Sequence, residues 1–336
     1  MGEDHAGLSA LVVGAGSIGS RHLRNLRALG LRRLAVCDPD PARLAAAVDG
    51  PGAAGFAEAR AALDAFAPDV VLVCTPPPSH VELALAALEG GAHVFVEKPL
   101  ADVLDGVDAL VERARRAGRV AQVGYNLRFH PGVCALKELV DAGAVGRVLW
   151  LRSEVGQWLP DWRPGQDYRR SYSARRALGG GILLDASHEL DYVLWLLGEP
   201  AEVACMAGRV SDLEMDVEDC ATVLLRFPGG AQADVHVDCV QRGYARTCRV
   251  AGTEGTLAWD YLVPEVRLYR AATGAWETRR YTFEPNDMYV AELRHFLDCA
   301  ARGTAPRVGL ADGRRALALA LAARAAARSG RTERGP

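Results

Sequence analysis

Hydrophobic positions in the first third of the chain fall in short runs separated by amphipathic stretches. Residues 8–13 form a continuous apolar run that predicts a buried strand, and residues 21–29, closed by Gly30, carry apolar side chains at helical spacing. The alternation continues with strands at 34–37, 70–74, 94–96 and 120–123, and helices at 41–48, 56–66, 81–88 and 104–117. Strands alternating with helices predict a parallel sheet covered on both faces, joined by right-handed crossovers.

The pattern changes after Gly124. A helix at 136–141 and a strand at 148–154 are followed by a loop at 157–174 rich in Trp, Arg, Tyr, Pro and Gly. Gly179-Gly180-Gly181 then opens a helix predicted at 183–197. Strand-like segments without intervening helices come next, at 201–210, 221–227, 231–241, 247–251, 256–260 and 266–270, punctuated by Pro228-Gly229-Gly230 and Gly252. Helices at 289–301 and 312–327 close the pattern, and the tail at 329–336 is expected to fray. The fold class is therefore α/β: an N-terminal Rossmann domain at 1–124, then an α+β domain at 125–336 with a large, mostly antiparallel open sheet. Helix 312–327 is the segment expected to pack back on the first domain.

Composition narrows the class of protein. The chain has 336 residues and a net charge of −3, with no basic stripe that would suit nucleic acid or an anionic membrane. No apolar run approaches the 20 residues of a membrane span. The N-terminus is acidic before its short apolar run, unlike a secretory signal. None of the eight cysteines forms a C-x-x-C pair, and most lie in apolar runs, which fits reduced thiols in a cytoplasmic protein. No complementary set of metal ligands is found.

Gly14-Ala15-Gly16-Ser17-Ile18-Gly19 completes G-x-G-x-x-G directly between a strand and a helix. The first glycine makes the tight turn, the second lets backbone approach a pyrophosphate, and the third lets helix and strand pack closely. The helix start offers free N–H groups and the positive end of a dipole to phosphates. Asp38 closes the second strand, where a carboxylate can accept the ribose hydroxyls of NAD and repel the extra phosphate of NADP; alternatively it caps the turn before Pro39. Thr75-Pro76-Pro77-Pro78-Ser79-His80 follows a buried strand at the sheet edge where ligands of open α/β sheets bind; it borders the cofactor or forms a rigid turn. Glu97-Lys98-Pro99 ends another strand. There a lysine can stabilise developing alkoxide charge, Glu97 can hold the lysine or a ribose, and the Lys98–Pro99 bond is a candidate for the cis form. The alternative is a surface ion pair. After the glycine triplet come Asp185, His188 and Asp191, three apart and so on one face of the predicted helix. His188 is a natural general acid or base.

Taken together these residues resemble the Gfo/Idh/MocA oxidoreductases, the glucose–fructose oxidoreductase and inositol dehydrogenase family. The resemblance spans nearly the whole chain and also rests on Tyr125-Asn126-Leu127-Arg128-Phe129-His130-Pro131 and on Gly179–Gly181 followed by His188 and Asp191. It implies NAD as cofactor, contacted by Gly14, Gly16, Ser17, Ile18, Gly19, Asp38, Thr75, Pro76, His80, Glu97, Lys98, Asn126 and Trp162. It implies that Lys98 and His188 are catalytic. A family aspartate that often joins them stands four residues before that histidine; Asp185, the candidate third catalytic residue, stands three before it. The segment at 159–173 is similar to a subgroup associated with biosynthetic sugar chemistry. Its aromatics and arginines could bind substrate through Trp158, Arg163, Tyr168 and Arg169, with Arg128 and His188, or the segment could be a packing arm. The open sheet is expected to form a homodimer or homotetramer interface.

The resulting expectation is a dehydrogenase that oxidises a secondary hydroxyl of a sugar, nucleotide-sugar, aminosugar or cyclitol and passes hydride to NAD. An NADPH-linked ketosugar reductase, a non-catalytic NAD(H)-binding regulator and an NAD-dependent glycosidase are the alternatives.

Overall fold

The computed structural model describes residues 5, 7–48 and 52–336, so most of the acidic N-terminus lies outside the described residues. The chain divides into two compact units. One comprises Met1–Asn126 and Asn286–Arg314, the other Leu127–Pro285 and Arg315–Pro336. The segment that returns to the first unit is therefore 286–314, which carries the penultimate helix, whereas the last helix belongs mostly to the second unit.

The first unit is built on a six-stranded parallel sheet in the order β3-β2-β1-β4-β5-β6. Its strands are β1 (Ser9–Val13), β2 (Arg33–Cys37), β3 (Ala53–Phe56), β4 (Val70–Val73), β5 (His93–Val96) and β6 (Ala121–Val123). Strands β1 and β4 are buried along their whole length, which is why they read as unbroken apolar runs. The strand order reverses between them, and in such sheets ligands bind in the crevice beyond the carboxyl ends at that point. Strand β3 went unpredicted: Ala-Ala-Gly-Phe is short, half-exposed and at the sheet edge, so it carries little hydrophobic signal.

Helices α1 (Ser17–Ala28), α2 (Pro41–Val48), α3 (Ala59–Phe66), α4 (His80–Glu89) and α5 (Val107–Ala117) connect the strands. Helix α1 buries Gly19, His22, Leu23 and Leu26, a stripe at helical spacing. From the returning segment, helix α9 (Asp287–Arg302) adds Leu293, Phe296 and Leu297 to the same core, with Phe296 edge-on to Phe95 at 5.7 Å.

The second unit carries a nine-stranded sheet in the order β14-β13-β12-β11-β7-β10-β9-β8-β15. The strands are β7 (Val148–Gly156), β8 (Glu202–Gly208), β9 (Cys220–Arg226), β10 (Gln232–Asp238), β11 (Ala245–Gly252), β12 (Gly255–Asp260), β13 (Glu265–Arg270), β14 (Ala275–Arg280) and β15 (Glu333–Arg334). All pairings are antiparallel except β7 with β10. Helices α6 (Pro131–Asp141), α7 (Ile182–Asp185) and α8 (Ser187–Leu197) cover one face of the sheet, and α10 (Leu310–Ser329) completes the helices. The other face shows Trp150, Leu224 and Met206 to the surroundings.

Three expectations change here. The tail does not simply fray, because β15 pairs with the edge of β8. Strand β14, exposed at every position, went unpredicted for want of any apolar alternation. The helix predicted at 183–197 breaks at Ala186, with φ −91° and ψ 25°, so Asp185 and His188 stand on different helices and their spacing does not place them on one helical face.

Candidate active site

The loop after β1 folds by backbone contacts that only glycine permits. Gly14 has φ +98°, and a Cβ there would lie 2.7 Å from the Cys74 carbonyl oxygen; on Gly19 it would lie 1.8 Å from the Gly14 oxygen. Gly16 differs, since a Cβ on it meets nothing within 4 Å. Gly16 is also the N-cap of α1, without a side-chain cap or an acidic residue in the first turn. The start of α1, where Ser17 and Ile18 lie, thus has open space beside its N-cap and no side chain compensating its dipole. This is a fitting cradle for a dinucleotide pyrophosphate.

Asp38 is buried and accepts the Ala15 N–H at 2.7 Å and the Asp40 N–H at 2.9 Å. It therefore makes the turn contact before α2 and also ties the end of β2 to the glycine loop, a link not foreseen from the sequence. Each carboxylate oxygen keeps a second lone pair that can accept a ribose hydroxyl.

The loops after β4 and β5 are fastened together by His80. Its ring nitrogens lie 2.7 Å from the Thr75 oxygen and 3.0 Å from the Pro99 oxygen, and the ring is buried. Burial pushes its pKa down while the two carbonyls pull the other way. This arrangement makes His80 a brace between loops. The Thr75 and Ser79 hydroxyls are hydrogen-bonded at 2.7 Å, and Ser79 donates to the Pro76 oxygen.

At the end of β5 the Lys98–Pro99 bond is cis. Glu97 is buried, with one oxygen 2.6 Å from His22 Nε2 and the other accepting the Lys98 N–H at 3.1 Å. His22 was not singled out from the sequence, although its place three residues after Gly19 puts it on the buried face of α1. Asn126 is buried in the turn after β6.

In the second unit, His188 is nine-tenths buried on the first turn of α8. That helix is held by two buried ion pairs. Asp191 receives Arg128 Nε at 2.8 Å and Nη2 at 2.7 Å, and Glu189 lies 2.8 Å from Arg246 Nε. Arg128, expected at the substrate, is buried against Asp191 with its guanidinium 5.3 Å from the centre of the Trp195 ring, as a charge removed from water requires a full partner. Arg169, also expected at the substrate, pairs with Asp167 at 2.8 Å and Glu214 at 3.2 Å.

Asp185 accepts a hydrogen bond from the Tyr172 hydroxyl. Arg163 lies 5.9 Å above the Tyr172 ring, which ties that arginine to the segment carrying Asp185. Trp158 is stacked by Arg242 at 3.8 Å, Trp162 donates to the Gln157 oxygen, and the Tyr168 hydroxyl accepts the Glu214 N–H. Beneath them, Arg324 donates to the Gly180 oxygen at 2.6 Å and to Glu218 at 2.9 Å. Among the described residues no cluster of three or more His, Cys, Asp or Glu side chains is placed to hold a metal, and no helix is long and apolar enough to cross a membrane.

An uncapped glycine loop at the switch point of a parallel sheet, followed on the same edge by a buried glutamate and the lysine after it, defines an NAD-binding oxidoreductase. Residues 8–125 match the model of the oxidoreductase family with an NAD-binding Rossmann fold, and residues 133–258 match that of the GFO/IDH/MocA C-terminal domain. The chain is 32% identical over 321 residues to inositol 2-dehydrogenase 3 of Saccharopolyspora erythraea, covering 92% of this chain and 89% of the relative. It is 31% identical to the myo-inositol 2-dehydrogenase of Thermotoga maritima, covering 93% and 94%. The fold matches that of a levoglucosan dehydrogenase in complex with NADH, with a TM-score of 0.89 at 23% identity, covering 98% of this chain and 99% of that one. The chain belongs to the GFO/IDH/MocA oxidoreductase family.

Proposed function

We propose that the protein is an NAD-dependent dehydrogenase that oxidises one secondary hydroxyl of a cyclitol or sugar, with Lys98 and His188 as its catalytic pair. The observation that carries the reading is compositional and local at once. Of 39 basic residues only two, Lys98 and Lys137, are lysines. Lys137 forms a helix-surface pair with Asp141, four residues on, which arginine could serve as well. Lys98 stands at the carboxyl end of β5 beside a buried glutamate, and there a compact ammonium does what a planar, permanently charged guanidinium cannot.

In this reading the Lys98 ammonium donates to the alcohol oxygen and stabilises alkoxide charge as it develops. His188 accepts the hydroxyl proton. Bound NAD supplies the hydride acceptor. Asp185, oriented by Tyr172, supports this side of the site; Arg128 orients α8 through Asp191 and does not touch substrate. Asp38 supports NAD over NADP, because its buried carboxylate would repel a 2′-phosphate. The cyclitol and sugar class is supported by relatives named as inositol dehydrogenases. The exposed Trp150, Leu224 and Met206 on the open face of the nine-stranded sheet support a homo-oligomer formed through that face.

The test is a screen of purified protein with NAD and NADP against cyclitols, sugars, nucleotide-sugars and aminoglycosides, read by absorbance of the reduced cofactor. NADH formation with a cyclitol or sugar is the expected result. With that substrate, Lys98→Ala should lower turnover by about 10²–10⁴-fold while the NADH Kd stays within about threefold. Unchanged turnover in this variant removes Lys98 from the mechanism.

A further inference from the structure

We infer that His22 is a positioning residue for Lys98, acting through Glu97, so that the glycine-loop helix and the lysine loop are set as one rigid piece. The inference rests on the reading of Lys98 as catalytic.

His22 lies on the buried face of α1, three residues after the last glycine of the loop, and its ring has no exposed surface. The ring packs edge-on to Phe95 at 5.2 Å and to Tyr289 at 6.3 Å. Nε2 lies 2.6 Å from one Glu97 oxygen, and the other Glu97 oxygen takes the Lys98 backbone N–H at 3.1 Å. A carboxylate only accepts, so Nε2 carries the proton. Nδ1 is buried with no hydrogen-bond partner among the described residues, so the hydrogen bond of this ring is directed at Glu97 alone. Room for this carboxylate is provided by Gly124, where a Cβ would stand 3.2 Å from the Glu97 carboxyl carbon and 3.1 Å from Phe95.

The pair is a poor choice for stability alone. Leu23, Leu26, Phe95 and Phe296 surround this stretch with apolar packing, and a leucine at position 22 would suit that core. Replacing a buried polar pair by well-packed hydrophobes is often neutral or stabilising. What leucine cannot supply is a fixed donor for the carboxylate next to Lys98. With the donor in place, α1 presents its first turn to the pyrophosphate and its second turn to the lysine loop, so a single helix sets the spacing between cofactor and lysine. Small misplacements of a catalytic group far from the reacting atoms can cost about a hundredfold in rate.

The experiment uses His22→Leu, Glu97→Gln, their double variant, and His22→Gln, which keeps a donor near the Nε2 position, with Lys98→Ala alongside. Three readouts are taken: turnover with the alcohol identified by the screen, NADH Kd by fluorescence, and the pH titration of the ¹³C-methylated lysines. With only Lys98 and Lys137 in the chain, that spectrum has an internal control. His22→Leu and Glu97→Gln should each lower kcat by about 10–100-fold, with the NADH Kd of His22→Leu within about threefold of the wild type, and the double variant should be no worse than the poorer single one. The Lys98 midpoint should move by roughly half a unit or more in His22→Leu as the neighbouring carboxylate loses its donor, while Lys137 stays put. His22→Gln should behave as the wild type.

Additive losses in the double variant, a parallel loss of NADH binding in His22→Leu, or an unmoved Lys98 signal would each overturn the inference. If His22→Leu does not fold, Glu97→Gln must still move the Lys98 signal and His22→Gln must not. Unchanged turnover in Lys98→Ala would strike the catalytic reading instead, and the Lys98 titration would still report whether His22 and Lys98 are coupled.

Discussion

Two glycine-rich turns lead into helices in this molecule, and they serve opposite purposes. At Gly16 a Cβ would meet nothing, and the helix start beyond it has no side-chain cap. At Gly180 a Cβ would lie 2.1 Å from the Tyr172 oxygen and 2.8 Å from the Arg175 oxygen. Gly181 has φ +106°, and a Cβ there would lie 2.4 Å from the Arg324 guanidinium. The first turn leaves open space beside its middle glycine, whereas the second is filled by the protein's own chain. Glycine clustering alone therefore does not identify a phosphate cradle; whether the missing side chain would meet protein or solvent does. A third helix start, that of α6, completes the contrast. There His130 is the N-cap, and its Nδ1 accepts the Gly132 N–H at 3.0 Å.

Gly180→Ala should have the largest effect. The opposing atoms are backbone and cannot yield, so a loss of about 3 kcal/mol or more is expected in chemical denaturation. A variant as stable as the wild type would break the distinction between filled and open turns.

The capped start of α6 gives the next largest effect, and it depends on pH. His130 is fully buried among Trp259, Tyr261, Tyr281 and Phe283, and burial, with Arg246 nearby, pushes its pKa from 6.5 down to about 4. The unfolded chain then binds a proton below pH 6.5 that the folded chain refuses. Stability from this group is complete above pH 6.5 and drains away as pH falls towards 4, by about 3 kcal/mol in all. His130→Asn keeps a capping acceptor but does not titrate, so urea midpoints followed from pH 7 to pH 4 should fall less steeply. An unchanged slope would acquit His130.

Gly16→Ala is the mildest on stability, costing about 1 kcal/mol or less as a change of N-cap. Because the new methyl group enters the pyrophosphate's space, the NADH Kd should nevertheless rise about tenfold, read by fluorescence titration. Unaltered binding would mean that the open space is not the cofactor's.

This contrast also accounts for what could be read in advance. The first turn is encoded in six consecutive residues whose constraints are local, and the full burial of β1 and β4 marks their strands. The elements around His188 depend on distant partners: Arg128 for Asp191, Arg246 for Glu189, Arg324 for Gly180, and Tyr172 for Asp185. None of those pairings follows from spacing, and so the break at Ala186 and the ion pairs of Arg128 and Arg169 were not legible. The scarcity of lysine is legible in composition alone, but net charge conceals it because arginine carries the same charge.

The first unit is assembled from two stretches of chain, and this bears on its synthesis. Phe296, Leu293 and Leu297 complete the core around Phe95, yet they leave the ribosome only after all of Leu127–Pro285 has been made. At about 5–20 residues per second, a nascent Rossmann sheet waits on the order of ten seconds or longer with one flank uncovered. The second unit can begin to form during that delay, but it too waits for a late stretch, Arg315–Pro336, which is made only after the first unit's returning segment.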